Sequence, residues 1–225
     1  MSDRLTSNPI HFEKGKNKSF FQFFCQLISY LFHPLVLTTY IVAIVLFLYP
    51  YSTIPNATIK LYLIIVVFVL TFLIPVVALI TMYKMRIINN LYLENNRQRR
   101  IPYLITTIIY LNSYFFFKYE FNFNDDVLSS TLLIITFSMF MVAIISFFWK
   151  ISAHSVGVGG LVGLTFWIHF TTQFNFLFLI CASIAISGFT MTARLFLKSH
   201  TNAQVYAGFL LGLFVSLFGY PFLID

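Results

Sequence analysis

Three short stretches of this 225-residue chain hold most of the side chains able to do chemistry. The first is Glu94-Asn95-Asn96-Arg97-Gln98-Arg99-Arg100-Ile101-Pro102, and the second is Lys150-Ile151-Ser152-Ala153-His154-Ser155. The third runs from Arg194 to Gln204 and carries Lys198, Ser199, His200, Thr201 and Asn202. Arginine and lysine supply cations that match phosphoryl oxygens, and a neutral imidazole supplies a nucleophile or a proton carrier. Helix amino termini add free backbone N–H groups aimed at an anion. Together these parts describe a phosphate site equipped for phosphoryl transfer. His200 and Gln204 are four apart, so within one helix they share a face, and the Gln204 amide oxygen can accept a ring N–H bond. That bond fixes the tautomer and leaves the other nitrogen free to attack. Arg194 stands six before His200, off that face in an unbroken helix, so a break near Lys198-Ser199 is required to aim both at one ligand.

The elements that must position these residues are membrane helices. With 59% hydrophobic residues, 9% charged residues and a mean hydropathy of +0.86, the chain lacks the polar surface of a water-soluble globule. The same composition excludes disordered, collagenous and nucleic-acid-binding classes, whatever the net charge of +7 suggests. A bilayer core of about 30 Å takes roughly 20 apolar residues in a helix. Seven runs qualify, at 27–49, 61–82, 102–117, 127–149, 155–170, 176–193 and 203–222, of which the third and fifth are short. The predicted fold is an all-α polytopic bundle of six or seven transmembrane helices over 27–225, preceded by a basic arm over 1–26. Within that arm 19–27 reads either as an interfacial helix or as the frayed start of the first span. Pro34 and Pro75 predict kinks or early helix ends. No secretory leader is expected, because Met1 to Ser19 is polar and basic and no small-residue cleavage site follows.

An even number of spans separates each polar cluster from the next, so all three fall on one side whichever way the chain inserts. With the amino terminus inside, twelve of the fourteen basic residues share that side, and only Lys60 and Lys118 oppose them. The positive-inside rule makes that side cytoplasmic.

These motifs carry a resemblance. Ala-Arg-x5-His-x3-Gln at 193–204, Ser-Ala-His at 152–154 and the arginine run ending in Pro102 resemble the three motifs of the type 2 phosphatidic acid phosphatase superfamily, integral membrane lipid phosphate phosphatases. The family patterns are Lys-x6-Arg-Pro, Ser-Gly-His and Ser-Arg-x5-His-x3-Asp, and the likeness covers roughly residues 90–215. It implies a bacterial inner-membrane enzyme needing neither metal nor other cofactor, acting on a lipid phosphate or pyrophosphate held in the bilayer. By that resemblance His200 is the nucleophile forming a phosphohistidine, and His154 the acid that protonates the departing oxygen. Arg194, Ser152, Ala153 through its backbone, Lys150 and one of Arg99 or Arg100 hold the phosphoryl oxygens, while Gln204 orients His200.

The departures are local. Ile101 rather than Arg precedes Pro102, no Lys stands seven before Arg99 or Arg100, Ala153 replaces Gly, and Gln204 replaces Asp. A neutral amide holds the ring but does not stabilise an imidazolium, and losing such a carboxylate in a serine triad costs on the order of 10⁴ in turnover. The alternative is therefore a lipid-phosphate-binding protein with little or no catalysis.

Plainer roles compete for the same residues. Thr201-Asn202-Ala203-Gln204 reads as a capping box, and Ser152 as a helix N-cap. Gly157, Gly159, Gly160, Gly163, Gly208 and Gly212 lie within apolar runs and predict close helix packing rather than a nucleotide loop. His33 and His169 read as satisfied polar groups, and Cys25 and Cys181 as small buried hydrophobes. No metal-ligand spacing is visible, and the oligomeric state is open.

Overall fold

A computed structural model describes residues 16–54, 56–91, 93, 96–120 and 126–224. The expected basic arm lies outside the described residues up to 15, as do Glu94 and Asn95 of the first cluster. The described residues are helical and contain no strand. In chain order the helices are α1 (Lys16–Leu31), α2 (Pro34–Leu48), α3 (Ala57–Phe68), α4 (Ile74–Lys84), α5 (Asn96–Phe115), α6 (Asp126–Ile145), α7 (Ala153–Thr171), α8 (Leu177–Phe196) and α9 (Asn202–Ile224). α3 and α4 join through a π-helical turn, Val69–Leu73, into one rod of 28 residues. Five helices are long and apolar enough to cross a membrane, or six if the bent pair α1–α2 is one span. α5 falls short by composition because its first turns carry Arg97, Arg99 and Arg100. The first cluster thus opens this helix instead of preceding it. Asn, Arg and Gln are tolerable helix formers, and Pro102 is accommodated inside.

Proline sets two local features. At Pro34 the chain breaks and restarts: α1 and α2 are bent by 58°, with His33 as the α2 N-cap accepting from Leu35 N–H. The boundary expected after residue 26 falls inside α1, and the chain turns at Phe32-His33 instead. Pro75 has no N–H to give the Thr71 carbonyl, and the π turn immediately before it absorbs the mismatch. The freed carbonyl accepts the Tyr110 hydroxyl of α5 at 3.0 Å. A proline defect in one helix thereby becomes a tie to another.

α7 and α9 form the most extensive helix pair. A methyl group on Gly163 would stand 2.7 Å from the Leu213 carbonyl oxygen, and one on Gly208 would stand 2.8 Å from that of Ser152. Only glycine lets these backbones approach so closely, as expected for small-residue packing in lipid. At the far end of the pair, Trp167 stacks between Tyr49 and Tyr220. Cys25 is buried as expected, but Cys181 on α8 is exposed, on the face that turns away from the bundle.

Candidate phosphate site

The contact between α7 and α9 brings the second and third clusters together. Ser152 N–H donates to the Gln204 carbonyl at 3.3 Å, tying the turn before α7 to the first turn of α9. His154 follows on α7, and His200 precedes α9.

Arg194 reaches the same place through the break that its spacing requires. α8 ends in a Schellman turn: Ser199 N–H donates to the Arg194 carbonyl, Lys198 N–H to that of Leu195, and Lys198 takes the left-handed conformation at φ 52°. This non-glycine residue in a position that favours glycine reverses the chain between Arg194 and His200. The two side chains consequently line one cavity.

That cavity has a volume of about 190 Å³ and also takes Arg99, His154, His33 and Ala153 into its wall. Four of these six carry ionisable groups from the three predicted clusters. Arg99 is buried, with its Nε donating to the Leu93 carbonyl, and Leu93 is itself held at φ 51° with its N–H on Asn90. Arg194 Nε is buried without a partner. Among the described residues no carboxylate pairs with either guanidinium, so the electrostatics of this end of the cavity call for an anion.

His200 is buried, and its Nδ1 lies 3.2 Å from Gln204 Oε1. Thr201 N–H donates to the same Oε1 at 3.2 Å, which identifies that atom as the oxygen, so His200 Nδ1 must be the donor. Nε2 then carries the lone pair. Gln204 N–H also donates to Thr201 Oγ1, so the capping box and the orienting bond coexist on one side chain. Burial first, and then the positive charges of Arg99 and Arg194, push the His200 imidazole down to about 4, against a smaller upward pull from Gln204. At neutral pH the ring is uncharged.

His154 Nε2 lies 3.1 Å from the Ser29 carbonyl oxygen of α1. A carbonyl can only accept, so Nε2 carries the proton, and Nδ1 is the ring atom left for proton transfer. His33 meets the same ring edge to face at 5.2 Å between centroids. α1 therefore contributes to the site from outside the three clusters: Phe21, Cys25 and Ser29, four apart, share the face that meets Phe196 and His154. The opposite face leaves Phe20, Phe23 and Tyr30 exposed.

The remaining expected ligands stand elsewhere. Ser152 does not line the cavity; its hydroxyl oxygen accepts from Ser155 N–H and Ser155 Oγ at the α7 start, the capping role. Arg100 turns away, with Nη2 donating to the Phe147 carbonyl and the guanidinium over the Phe147 ring. One residue in a helix is a rotation of about 100°, so Arg99 and Arg100 cannot point the same way. Lys150 lies with Lys198 on a shallower recess outside the cavity, and His200 borders both. His169 accepts from Phe176 N–H at the other end of α7, a satisfied polar group. His33, read from sequence as a satisfied polar group, is both that and part of the cavity wall. The signal that could have found it is its place at the start of α2, on the same side as the three clusters. No group of three His, Cys, Asp or Glu side chains able to hold a metal occurs among the described residues.

Comparison with family models, curated proteins and solved structures finds no match to this chain.

Proposed function

We propose that this chain hydrolyses a phosphate or pyrophosphate ester of a membrane lipid through a phosphohistidine on His200, without metal. The observation that carries the reading is the convergence of Arg99, Arg194, His154 and His200 on one cavity with no described carboxylate to neutralise them. The guanidiniums hold the nonbridging phosphoryl oxygens and neutralise charge as it shifts. His200 Nε2 attacks phosphorus, an N–P bond forms, and the bond from phosphorus to the leaving oxygen breaks. That oxygen takes a proton through His154 Nδ1, which first accepts it from the monoanionic phosphate as the ester binds and passes it to the leaving oxygen as the bond breaks. Water then attacks the phosphohistidine, gives its proton to His154, and inorganic phosphate leaves. An amino terminus inside, with the site at the cytoplasmic surface, agrees with the charge distribution.

A second reading, lipid-phosphate binding without turnover, draws support from Gln204, whose amide does not stabilise a charged His200 ring. One experiment separates the two. Purified full-length protein is given phosphatidate and a prenyl pyrophosphate, and acid-labile, base-stable phosphate on the protein is measured after rapid quenching. Phosphate release with a labelled phosphoprotein that His200→Ala abolishes supports the enzyme. Binding that His200→Ala barely weakens, with no release from any substrate and none from Gln204→Asp, refutes it.

A further inference from the structure

The cavity does not end at its charged rim. Its wall continues between α2, α5, α6 and α9 past Ile41, Tyr110, Ile135 and Met139 to Ser216 and Tyr220. Ser216 lies twelve residues beyond Gln204 on α9, about 18 Å at 1.5 Å per residue. A volume of about 190 Å³ drawn out over that depth is narrow. For scale, an apolar cavity of about 150 Å³ holds one benzene.

The deep wall is also largely apolar, and most of its hydroxyl protons are already bonded. Tyr110 spends its hydroxyl proton on the Thr71 carbonyl, Thr106 on that of Pro102 and Ser138 on that of Ile134. Among the described residues Ser216 keeps the one hydroxyl of this set with no hydrogen-bond partner, too few for the several hydroxyl groups of a glycerol or a sugar, which would go unpaired. What the wall accepts is hydrocarbon, one chain wide.

We infer that the ligand is a phosphate ester of a single hydrocarbon chain, prenyl or alkyl, which enters the bundle tail first beneath the Arg99 and Arg194 guanidiniums. A diacylglycerol phosphate, with two chains diverging two carbons from the phosphate, cannot follow the same path. The inference rests on the phosphate-site reading above and names the substrate class for it.

The test uses purified full-length protein in detergent micelles with farnesyl phosphate, dodecyl phosphate, butyl phosphate and dioleoyl phosphatidate. Phosphate release and the shift in thermal unfolding midpoint are both read. The two long single-chain phosphates are expected to show kcat/KM at least tenfold above phosphatidate. Turnover of only one of them identifies the chain as prenyl or as straight alkyl. Ser138→Phe, which plugs the middle of the cavity, is expected to shift the dodecyl-to-butyl preference at least tenfold toward butyl. Equal kcat/KM for phosphatidate and both long single-chain phosphates, or an unchanged dodecyl-to-butyl ratio in folded Ser138→Phe, overturns the inference while the phosphatase reading stands. Should no probe release phosphate, that reading fails and the thermal shifts decide this one. Greater stabilisation by farnesyl or dodecyl phosphate than by phosphatidate supports it, and equal or smaller stabilisation overturns it. Should Ser138→Phe fail to fold, the wild-type comparison decides alone.

Discussion

Replacing Gln204 by Glu leaves the side-chain length unchanged and sets a carboxylate oxygen where Oε1 now lies, 3.2 Å from His200 Nδ1. Asp is a methylene shorter and would leave a gap wider by about 1.5 Å. At present burial and the Arg99 and Arg194 charges hold the imidazole at about 4. An opposite charge within 4–6 Å typically raises a histidine by about 1–3 pKa units, and about 332/(ε·r) at an effective ε near 20 gives ~4 kcal/mol of attraction at that range. Part of that attraction is spent in desolvating the carboxylate, so a rise of about 2 units is expected, to near 6. The sign follows from which form is favoured: in the wild type His200 resists protonation down to pH 4, and in Gln204→Glu it takes a proton from about pH 6 downward. Carbethoxylation of the free Nε2 requires a neutral ring, so its rate on the His200 peptide, followed by mass spectrometry against pH, reads this directly and needs no turnover. The inflection is expected near 4 in the wild type and near 6 in the variant. An inflection near 6.5 in both proteins would refute the placement of His200 under two guanidiniums.

Linkage extends the same shift to stability. His200 binds a proton in the unfolded chain near pH 6.5 but in the folded chain only near 4, so stability is full above 6.5 and falls as pH drops through that window. The loss is expected to reach on the order of 3 kcal/mol by pH 4, checked by unfolding midpoints of wild type against His200→Asn. Arg194→Gln is expected to lower phosphate release at least 100-fold, whereas Arg100→Gln, which loses contacts to the Phe147 carbonyl and ring outside the cavity, stays within about fivefold. Gly163→Ala drives a methyl into the α9 backbone and is expected to cost about 2 kcal/mol or more. Gly188→Ala, with open space around it, is expected to gain up to about 1 kcal/mol in the same thermal assay. Lys198→Val, a branched residue in the left-handed position, is expected to lose about 1–2 kcal/mol, and Lys198→Gly to stay near neutral.

How the chain divides into helices is written locally. A run of about 20 apolar residues has one low-energy arrangement in lipid, since every backbone group must bond within its own segment. α6, α7, α8 and α9 accordingly lie within a few residues of the runs at 127–149, 155–170, 176–193 and 203–222. Polar starts were harder: α5 begins at Asn96 rather than at 102, because hydropathy does not register a helix turn built from Arg and Gln. Residues 19–27 lie within a single sixteen-residue helix, α1, set at 58° to α2.

The candidate site divides the same way. The i, i+4 relation of His200 to Gln204 and the break required at Lys198-Ser199 depend only on helix geometry, and both were legible in the residues themselves. Which of Arg99 and Arg100 turns inward, that Ser152 is occupied by capping, and that His33 and the Ser29 carbonyl meet His154 depend on where other helices stand. The α7–α9 part of that arrangement follows from close packing at Gly163 and Gly208. Local spacing specifies which face of its own helix a side chain occupies, but only the assembled bundle determines what that face meets, because long-range contacts are decided by packing rather than by sequence separation.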